Sequence, residues 1–144
     1  SYAVCYGGPV LKLTSSLIVP TDQIPPAINF TWQAMNGPYG GYVNKLIKTS
    51  SSTLLALGGS TSVYRYNTGS AKWDRISIPN SCCFREMKTY GDKVYIVDYS
   101  SIVESSDNGT TWNRLPGRVD ELSDIAVSSN GTLIITSNNT GVYT

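Results

Sequence analysis

The most informative stretch of this sequence is Ser105-Ser106-Asp107-Asn108-Gly109-Thr110-Thr111-Trp112. It predicts a tight turn between two strands, because the Asp107 carboxylate can accept hydrogen bonds from the backbone N–H groups that follow it. Gly109 supplies the positive φ that such a turn needs, and the hydroxyls of Ser105 and Thr111 can bond to nearby backbone. Trp112 is large enough to fill the space between two sheets. These residues specify a turn and its packing rather than chemistry on a substrate.

Tryptophan recurs along the chain at a nearly constant interval. Trp32, Trp73 and Trp112 are separated by 41 residues (73 − 32) and 39 residues (112 − 73). The segment Val63–Trp73 matches Ile102–Trp112 in its strand, its turn-rich middle and its Trp, although it lacks the Asp. A period of about 40 residues with four short strands per repeat is typical of a β-propeller blade. We therefore predict an all-β protein built from four-stranded antiparallel blades, with the three indoles packed between them.

The quoted stretch matches the pattern S-x-D-x-G-x-T-W, known as the Asp-box or BNR motif. The chain thus resembles the repeats of sialidase-like and sortilin-like β-propellers over roughly residues 32–144. The segment Trp32–Gly41 makes it most similar to the opening blades of secreted bacterial surface propellers. The resemblance implies that the motif joins the third and fourth strands of a blade and is structural. The motif residues are Ser105, Asp107, Gly109, Thr111 and Trp112.

Runs of β-branched and aromatic residues between Gly and Asn turn signals predict the strands of each repeat. The predicted strands are 42–47, 53–57, 63–66 and 73–78 in the first repeat, 85–90, 93–98, 102–105 and 112–115 in the second, and 124–127, 132–136 and 141–144 in the third. No segment has helical periodicity over a useful length.

The chain is predicted to have two parts. Residues 1–30 form a strand-bearing N-terminal arm that ends in a proline-containing linker. Residues 31–144 form a partial β-propeller that is incomplete at its C-terminus, and Trp32 belongs to the last strand of an earlier repeat. Because propellers typically close with four to eight blades, we expect the chain to be the N-terminal part of a longer protein. The alternatives are that neighbouring copies complete the ring or that the N-terminal arm covers one end of a short stack.

Charge and hydropathy bear on partners and location. The net charge of +1 gives no electrostatic reason to expect a nucleic-acid partner. No apolar run approaches the ~20 residues that a membrane-spanning helix needs. We expect an extracellular or cell-surface protein, a setting that four N-x-[ST] sequons favour. The sequons are at Asn29, Asn108, Asn130 and Asn138.

The sequence offers little for metal or cofactor binding. It contains no histidine, which is the commonest metal ligand, and its three cysteines have no C-x-x-C spacing. We therefore predict no metal site and no cofactor. Because a disulfide between the neighbours Cys82 and Cys83 would be strained, a bridge would join Cys5 to one of them; three free thiols are the simpler alternative.

No group of residues predicts catalysis. The arginines do not fall in a recognisable sialidase motif, although a sialidase would need an arginine triad. A glycosidase needs two carboxylates that face each other at ~5 to 10 Å. Each candidate reads more simply as a solvated turn or loop carboxylate. The candidates are Asp98, Glu104, Asp120, Glu121 and Asp124.

Exposed aromatic residues are the best candidates for binding, because their faces suit the apolar faces of sugars. Tyr39, Tyr42 and Tyr99 are predicted near strand ends or inter-blade loops. Tyr39, in a Gly-Pro-Tyr-Gly-Gly loop, is the strongest candidate of the three. The alternative is that these tyrosines fill space between blades or cover the solvent faces of strands.

The sequence therefore favours a non-catalytic, secreted or cell-surface β-propeller segment that acts as a scaffold or as a binding module for a protein or a glycan. Two alternatives stay open. The chain can be the leading part of a sialidase-like or xyloglucanase-like glycoside hydrolase whose catalytic residues lie mostly outside it. It can also be a subunit of an extracellular assembly whose incomplete blades are completed by neighbouring chains through strand addition.

Overall fold

The computed structural model describes residues 2–4, 10–16, 29–39, 42–59 and 61–144. Within these ranges every regular element is a β-strand, and every strand pair is antiparallel. The described residues therefore contain no helix of the length and hydrophobicity that a membrane crossing requires. The prediction of an all-β protein is confirmed.

The described strands form four sheets, and the strand order in each sheet follows the chain. Sheet 1 contains β1 (Tyr2–Val4), β2 (Val10–Ser16) and β3 (Asn29–Ala34). Sheet 2 contains β4 (Val43–Lys48), β5 (Leu54–Gly58), β6 (Ser62–Asn67) and β7 (Lys72–Ile76). Sheet 3 contains β8 (Glu86–Tyr90), β9 (Lys93–Val97), β10 (Ile102–Ser105) and β11 (Asn113–Arg114). Sheet 4 contains β12 (Leu122–Val127), β13 (Leu133–Ser137) and β14 (Gly141–Tyr143).

The predicted boundary at residue 30 falls inside β3, because β3 pairs with β2 along its whole length. The N-terminal segment is thus joined to Trp32 in one sheet. The linker prolines, Pro20, Pro25 and Pro26, lie outside the described residues.

The second strands of sheets 2 and 3 explain how the sheets stack. β5 begins Leu54-Leu55-Ala56-Leu57 and β9 contains Val94-Tyr95-Ile96-Val97, and all of these residues are buried. Such continuous apolar runs occur where both faces of a strand are covered. Alternate residues enter different clusters: Leu55 and Leu57 pack with Val94 and Ile96, whereas Tyr95 and Val97 pack with sheet 4. Sheet 3 therefore lies between sheets 2 and 4.

The first strands of successive sheets lie side by side. β4 contacts β8, β8 contacts β12, and β1 contacts β4. The core between sheets 3 and 4 is centred on Leu122 and Ile125 of β12, which are almost fully buried. The sheets thus follow one another in chain order, with their first strands on the same side.

Two of the three tryptophans take similar places. Trp73 packs on Leu54 and Ala56, and its Nε1 donates to the carbonyl oxygen of Met35 at 3.1 Å. Trp112 packs on the cluster shared by sheets 2 and 3. Each of these two indoles therefore covers the face of its own sheet that looks toward the preceding sheet. Trp32, on β3, is instead 52% exposed.

Candidate functional site

The turn between β10 and β11 is built around the Asp107 carboxylate. Its Oδ1 accepts hydrogen bonds from the backbone N–H groups of Thr110 (3.0 Å) and Thr111 (2.7 Å), and its Oδ2 accepts one from the Thr111 hydroxyl (2.7 Å). The Ser105 hydroxyl donates to Oδ1 at 2.8 Å and accepts from the N–H of Gly109 at 2.8 Å. Both carboxylate oxygens are therefore engaged within residues 105–112, which we call the Asp107 turn.

These contacts decide what Asp107 can do chemically. The backbone N–H of Thr111, followed by its hydroxyl, lowers the pKa of the Asp107 carboxyl to about 2. A general acid or base works best with a pKa near the operating pH. An aspartate with both oxygens occupied and a pKa of about 2 is therefore suited to holding a turn and is unsuited to proton transfer near neutral pH.

The Asp107 turn packs on sheet 2. A Cβ placed on Gly109, whose φ is +81°, would lie 2.9 Å from a methyl carbon of Leu55 on β5. Arg65 Nη1, from β6, donates to the Thr110 hydroxyl at 2.7 Å. Trp112 Nε1 donates to the Gly109 carbonyl oxygen at 3.2 Å. Glycine is required here both for the positive φ and for the close approach to Leu55.

The turn between β6 and β7 is also held by a side-chain oxygen that accepts backbone hydrogen bonds, but the residue is an asparagine. Asn67 Oδ1 accepts hydrogen bonds from the N–H groups of Gly69 (3.0 Å) and Ser70 (3.2 Å), and Asn67 Nδ2 donates to Asp74 (3.1 Å). An asparagine that bonds to backbone two or three residues ahead forms a tight turn. Asn67 aligns with Ser106 (67 + 39) rather than with Asp107, so the motif pattern alone does not identify it.

A cleft of about 750 Å³ opens beside both turns, and we call it the polar cleft. Its walls come from sheet 1, from the β4–β5 connection, from the β6–β7 turn and from the Asp107 turn. The described residues that line it include Lys12, Gln33, Asn36, Arg65, Tyr66 and Asn108. Most of these side chains are hydrogen-bond donors or acceptors, and Asp107 is the one acidic residue among the described residues of the lining.

One acceptor at the polar cleft has no hydrogen bond. Asn108 Oδ1 is buried and has no partner within the described ranges of the chain, whereas the Asn108 N–H donates to the Asp92 carbonyl oxygen at 3.3 Å. A buried polar atom left without a partner costs about 1 to 3 kcal/mol. Asn108 itself lines the polar cleft, and a turn of its side chain toward the cleft would let Oδ1 accept a hydrogen bond from a hydroxyl or N–H group of a ligand.

The three tyrosines predicted for binding are exposed but are not part of the polar cleft's described lining. Tyr39 and Tyr42 precede β4 and are 79% and 44% exposed. Tyr99 lies in the turn between β9 and β10, where its hydroxyl donates to Glu121 at 2.8 Å and the Arg85 guanidinium lies 5.0 Å from its ring. A binding role for these tyrosines stays a prediction.

The candidate carboxylates have structural partners. Asp98 is buried, accepts hydrogen bonds from the N–H groups of Ser100 and Ser101, and pairs with Arg114 at 3.1 Å. The others are held by Lys93 for Glu104, Arg118 for Asp120, Tyr99 for Glu121 and the N–H of Ile125 for Asp124. None of these five lines the polar cleft among its described residues.

The cysteines differ in how much can be said of them. Cys82 and Cys83 are exposed free thiols with sulfurs 3.3 Å apart, and the hydrogen bond to Cys83 raises the pKa of the Cys82 thiol. Cys5 lies outside the described residues, so a bridge that involves it stays a prediction. Within the described part of the chain, no three His, Cys, Asp or Glu side chains come together as metal ligands would.

Two comparisons with known proteins identify no relative of this chain. A scan against models of protein families gives no match for this chain, and a search of curated proteins finds no significant match. The resemblance to Asp-box propellers rests on the motif at residues 105–112 and on the repeat of about 40 residues. A functional proposal therefore depends on the geometry of the sheets and of the cavities between them.

Proposed function

We propose that the chain is a segment of a non-catalytic β-propeller and that it binds a glycan in the polar cleft. Three features support the propeller. The sheets follow one another in chain order, their first strands lie side by side, and β5 and β9 are buried on both faces. The first strands of sheets 2 and 4 also share an irregularity in pairing, which starts at Val43 and at Leu122, 79 residues apart (122 − 43), or two repeats.

The main support for glycan binding is the unpaired, buried Oδ1 of Asn108 at the edge of a large polar cleft. A sugar presents many hydroxyl groups, each of which can donate and accept. Asn108 Oδ1 offers an acceptor once its side chain turns toward the cleft, the Arg65 guanidinium offers donors, and the amide of Asn36 offers both. The Tyr66 ring, also in the lining, suits the apolar face of a pyranose.

The non-catalytic part of the proposal is supported by the state of Asp107. It is the acidic residue of the described lining, and its two oxygens already accept hydrogen bonds from the turn. The chain also has no histidine to act as a base. A site of this composition can hold and orient a sugar without a group placed to cleave it.

The proposed location is extracellular or at the cell surface, where glycans are plentiful. The sequons at Asn130 and Asn138 support this, because both asparagines are exposed. Asn130 lies in the β12–β13 turn, and Asn138 follows β13. In this setting the stacked sheets act as a rigid scaffold for the cleft.

The test is to screen the chain against an immobilised panel of neutral and acidic oligosaccharides and to titrate the strongest hit by calorimetry. We expect Asn108→Gly, which tolerates the φ of +58° at this position, to weaken binding roughly tenfold, the effect of about 1.4 kcal/mol. The same variant should raise the free energy of unfolding by about 1 kcal/mol, because it removes the unpaired acceptor.

Asn80→Gly is the matched control, since Asn80 also has a positive φ (+56°), is exposed and lies outside the described lining of the cleft. It should leave the affinity unchanged. The proposal is wrong if no saccharide binds, or if Asn80→Gly weakens binding as much as Asn108→Gly does.

A further inference from the structure

The connection between β7 and β8 carries two neighbouring thiols at the surface. Cys82 and Cys83 are both exposed, and both are free thiols. Their sulfur atoms lie 3.3 Å apart, close enough for one thiol to donate a hydrogen bond to the other. Two exposed thiols in contact can react with one and the same partner molecule. Neither cysteine belongs to the described lining of the polar cleft, so glycan binding gives them no role.

The residues before the two thiols are held by an arginine of sheet 3. Arg114 on β11 donates to the carbonyl oxygen of Asn80 at 2.6 Å and to the hydroxyl of Ser81 at 3.0 Å. The same guanidinium pairs with the buried carboxylate of Asp98 at 3.1 Å. Because a guanidinium is a rigid, planar fork, bonds to both of its terminal nitrogens fix it in place. The backbone that leads into Cys82 is therefore fixed as well.

The residues after the two thiols are held by the core and by β9. Phe84 is buried in the cluster that sheets 2 and 3 share, and the N–H of Arg85 donates to the carbonyl oxygen of Val97 at 2.9 Å. Cys83 itself has a φ of +58°, a left-handed conformation that persists only where the surrounding structure holds it. The fold thus keeps the two sulfurs together, because the backbone on either side of them cannot move freely.

A covalent bond between these two sulfurs would be easy to reduce. Neighbouring Cα atoms in a chain are about 3.8 Å apart, whereas an unstrained disulfide joins Cα atoms that are about 4.4 to 6.8 Å apart. Strained and exposed disulfides are the ones that exchange readily with other thiols. The two cysteines are therefore suited to forming and breaking a bond, and they are poorly suited to a permanent crosslink.

We propose that Cys82 and Cys83 form a reversible thiol–disulfide exchange site whose substrates are low-molecular-weight disulfides. The thiolate of one cysteine attacks a sulfur of the small disulfide, which gives a mixed disulfide and releases one small thiol. The other cysteine then attacks the protein sulfur of the mixed disulfide and releases the second small thiol. The two cysteines thereby lose two electrons and two protons, and the small disulfide gains them. This exchange does not depend on glycan binding.

Mass spectrometry of the full chain after incubation with oxidised glutathione tests the proposal. Remaining free thiols are blocked with N-ethylmaleimide, and the chain is then cut with trypsin after its Lys and Arg residues. This digestion places both cysteines in one peptide, residues 76–85, which we call the dithiol peptide, and Cys5 in another, residues 1–12. We expect the dithiol peptide to lose two hydrogen atoms and to take up no maleimide. Added reduced glutathione should restore both thiols.

Three variants separate this exchange from other reactions of thiols. Cys82→Ser and Cys83→Ser each leave one thiol in the dithiol peptide, so the reaction should stop at a mixed disulfide with glutathione. Cys5→Ser is the matched control and should leave the oxidation of the dithiol peptide unchanged. A dithiol peptide that stays reduced, carries two glutathiones, or becomes linked to the Cys5 peptide or to a second copy would overturn the proposal. Each of these results would leave the glycan titration unaffected.

Discussion

Asp107 stabilises its turn in the charged form. Folding lowers its pKa to about 2, chiefly through the N–H of Thr111, whereas aspartate in an unfolded chain titrates near pH ~4. A carboxyl whose pKa is lower in the folded state contributes stability above the unfolded value, and it loses that contribution as the pH falls through the folded value. The contribution of Asp107 is therefore complete above about pH 4 and is lost toward pH 2.

We expect Asp107→Ala to lower the free energy of unfolding at pH 7 by about 2 kcal/mol, because the N–H groups of Thr110 and Thr111 lose a charged acceptor. Asp107→Asn keeps one acceptor oxygen, so it should lower the free energy of unfolding by less. Because it has no carboxyl to protonate, it should also lose less stability than the original chain between pH 4 and pH 2. Urea unfolding at several pH values measures both effects. An unchanged acid response in Asp107→Asn would contradict the role given to the carboxylate.

The Asp107 turn and β5 should stabilise each other through their contact. Gly109→Ala introduces a Cβ 2.9 Å from a Leu55 methyl carbon at a position with a φ of +81°. We expect a loss of about 2 to 4 kcal/mol in the free energy of unfolding, from backbone strain and from overpacking together.

Gly91→Ala is the matched control for this prediction. Gly91 has a φ of +61° and no neighbour within 4 Å of an added Cβ, so alanine there adds backbone strain of about 1 to 2 kcal/mol and no clash. Thermal unfolding of the two variants compares them. If both variants lose the same free energy of unfolding, the Asp107 turn does not pack closely against Leu55 of sheet 2.

The strands were largely predictable because turn residues mark their ends in the sequence. Ile102–Ser105 is found as predicted, since Asp98 to Ser101 and the Asp107 motif mark its two ends. β12 begins at Leu122, two residues before the predicted start, because the irregular pairing between Leu122 and Asp124 interrupts its pattern. β11 is shorter than predicted and omits Trp112, whose Nε1 bonds back to the turn at Gly109.

The candidate site was much less predictable. Its lining joins Lys12, Gln33, Arg65 and Asn108, which are far apart in the sequence and meet because the sheets stack. No local pattern marks such a set. The unpaired state of Asn108 Oδ1 depends on what the fold places around it, and a sequon at this residue gives no indication of that. The sequence instead favours exposed tyrosines, since aromatic residues can be recognised without a structure.

The candidate site depends on sheets that stack face to face in chain order. The apolar runs of β5 and β9 require cover on both faces, and indoles at Trp73 and Trp112 occupy matching places at successive interfaces. The polar cleft forms where turns of sheets 2 and 3 meet sheet 1. The proposed function would lose its basis if the sheets did not pack in this way.

The most direct test is a nuclear Overhauser experiment on the chain with labelled leucine methyl groups. The stacked sheets predict contacts from the Leu55 methyls on sheet 2 to the α-protons of Gly109 on the Asp107 turn of sheet 3, since a Cβ on Gly109 would lie within 3 Å of them. They also predict a contact between the Trp73 indole N–H and Met35, whose carbonyl oxygen accepts its hydrogen bond at 3.1 Å. Leu55 contacts confined to residues of sheet 2 would contradict the stacking.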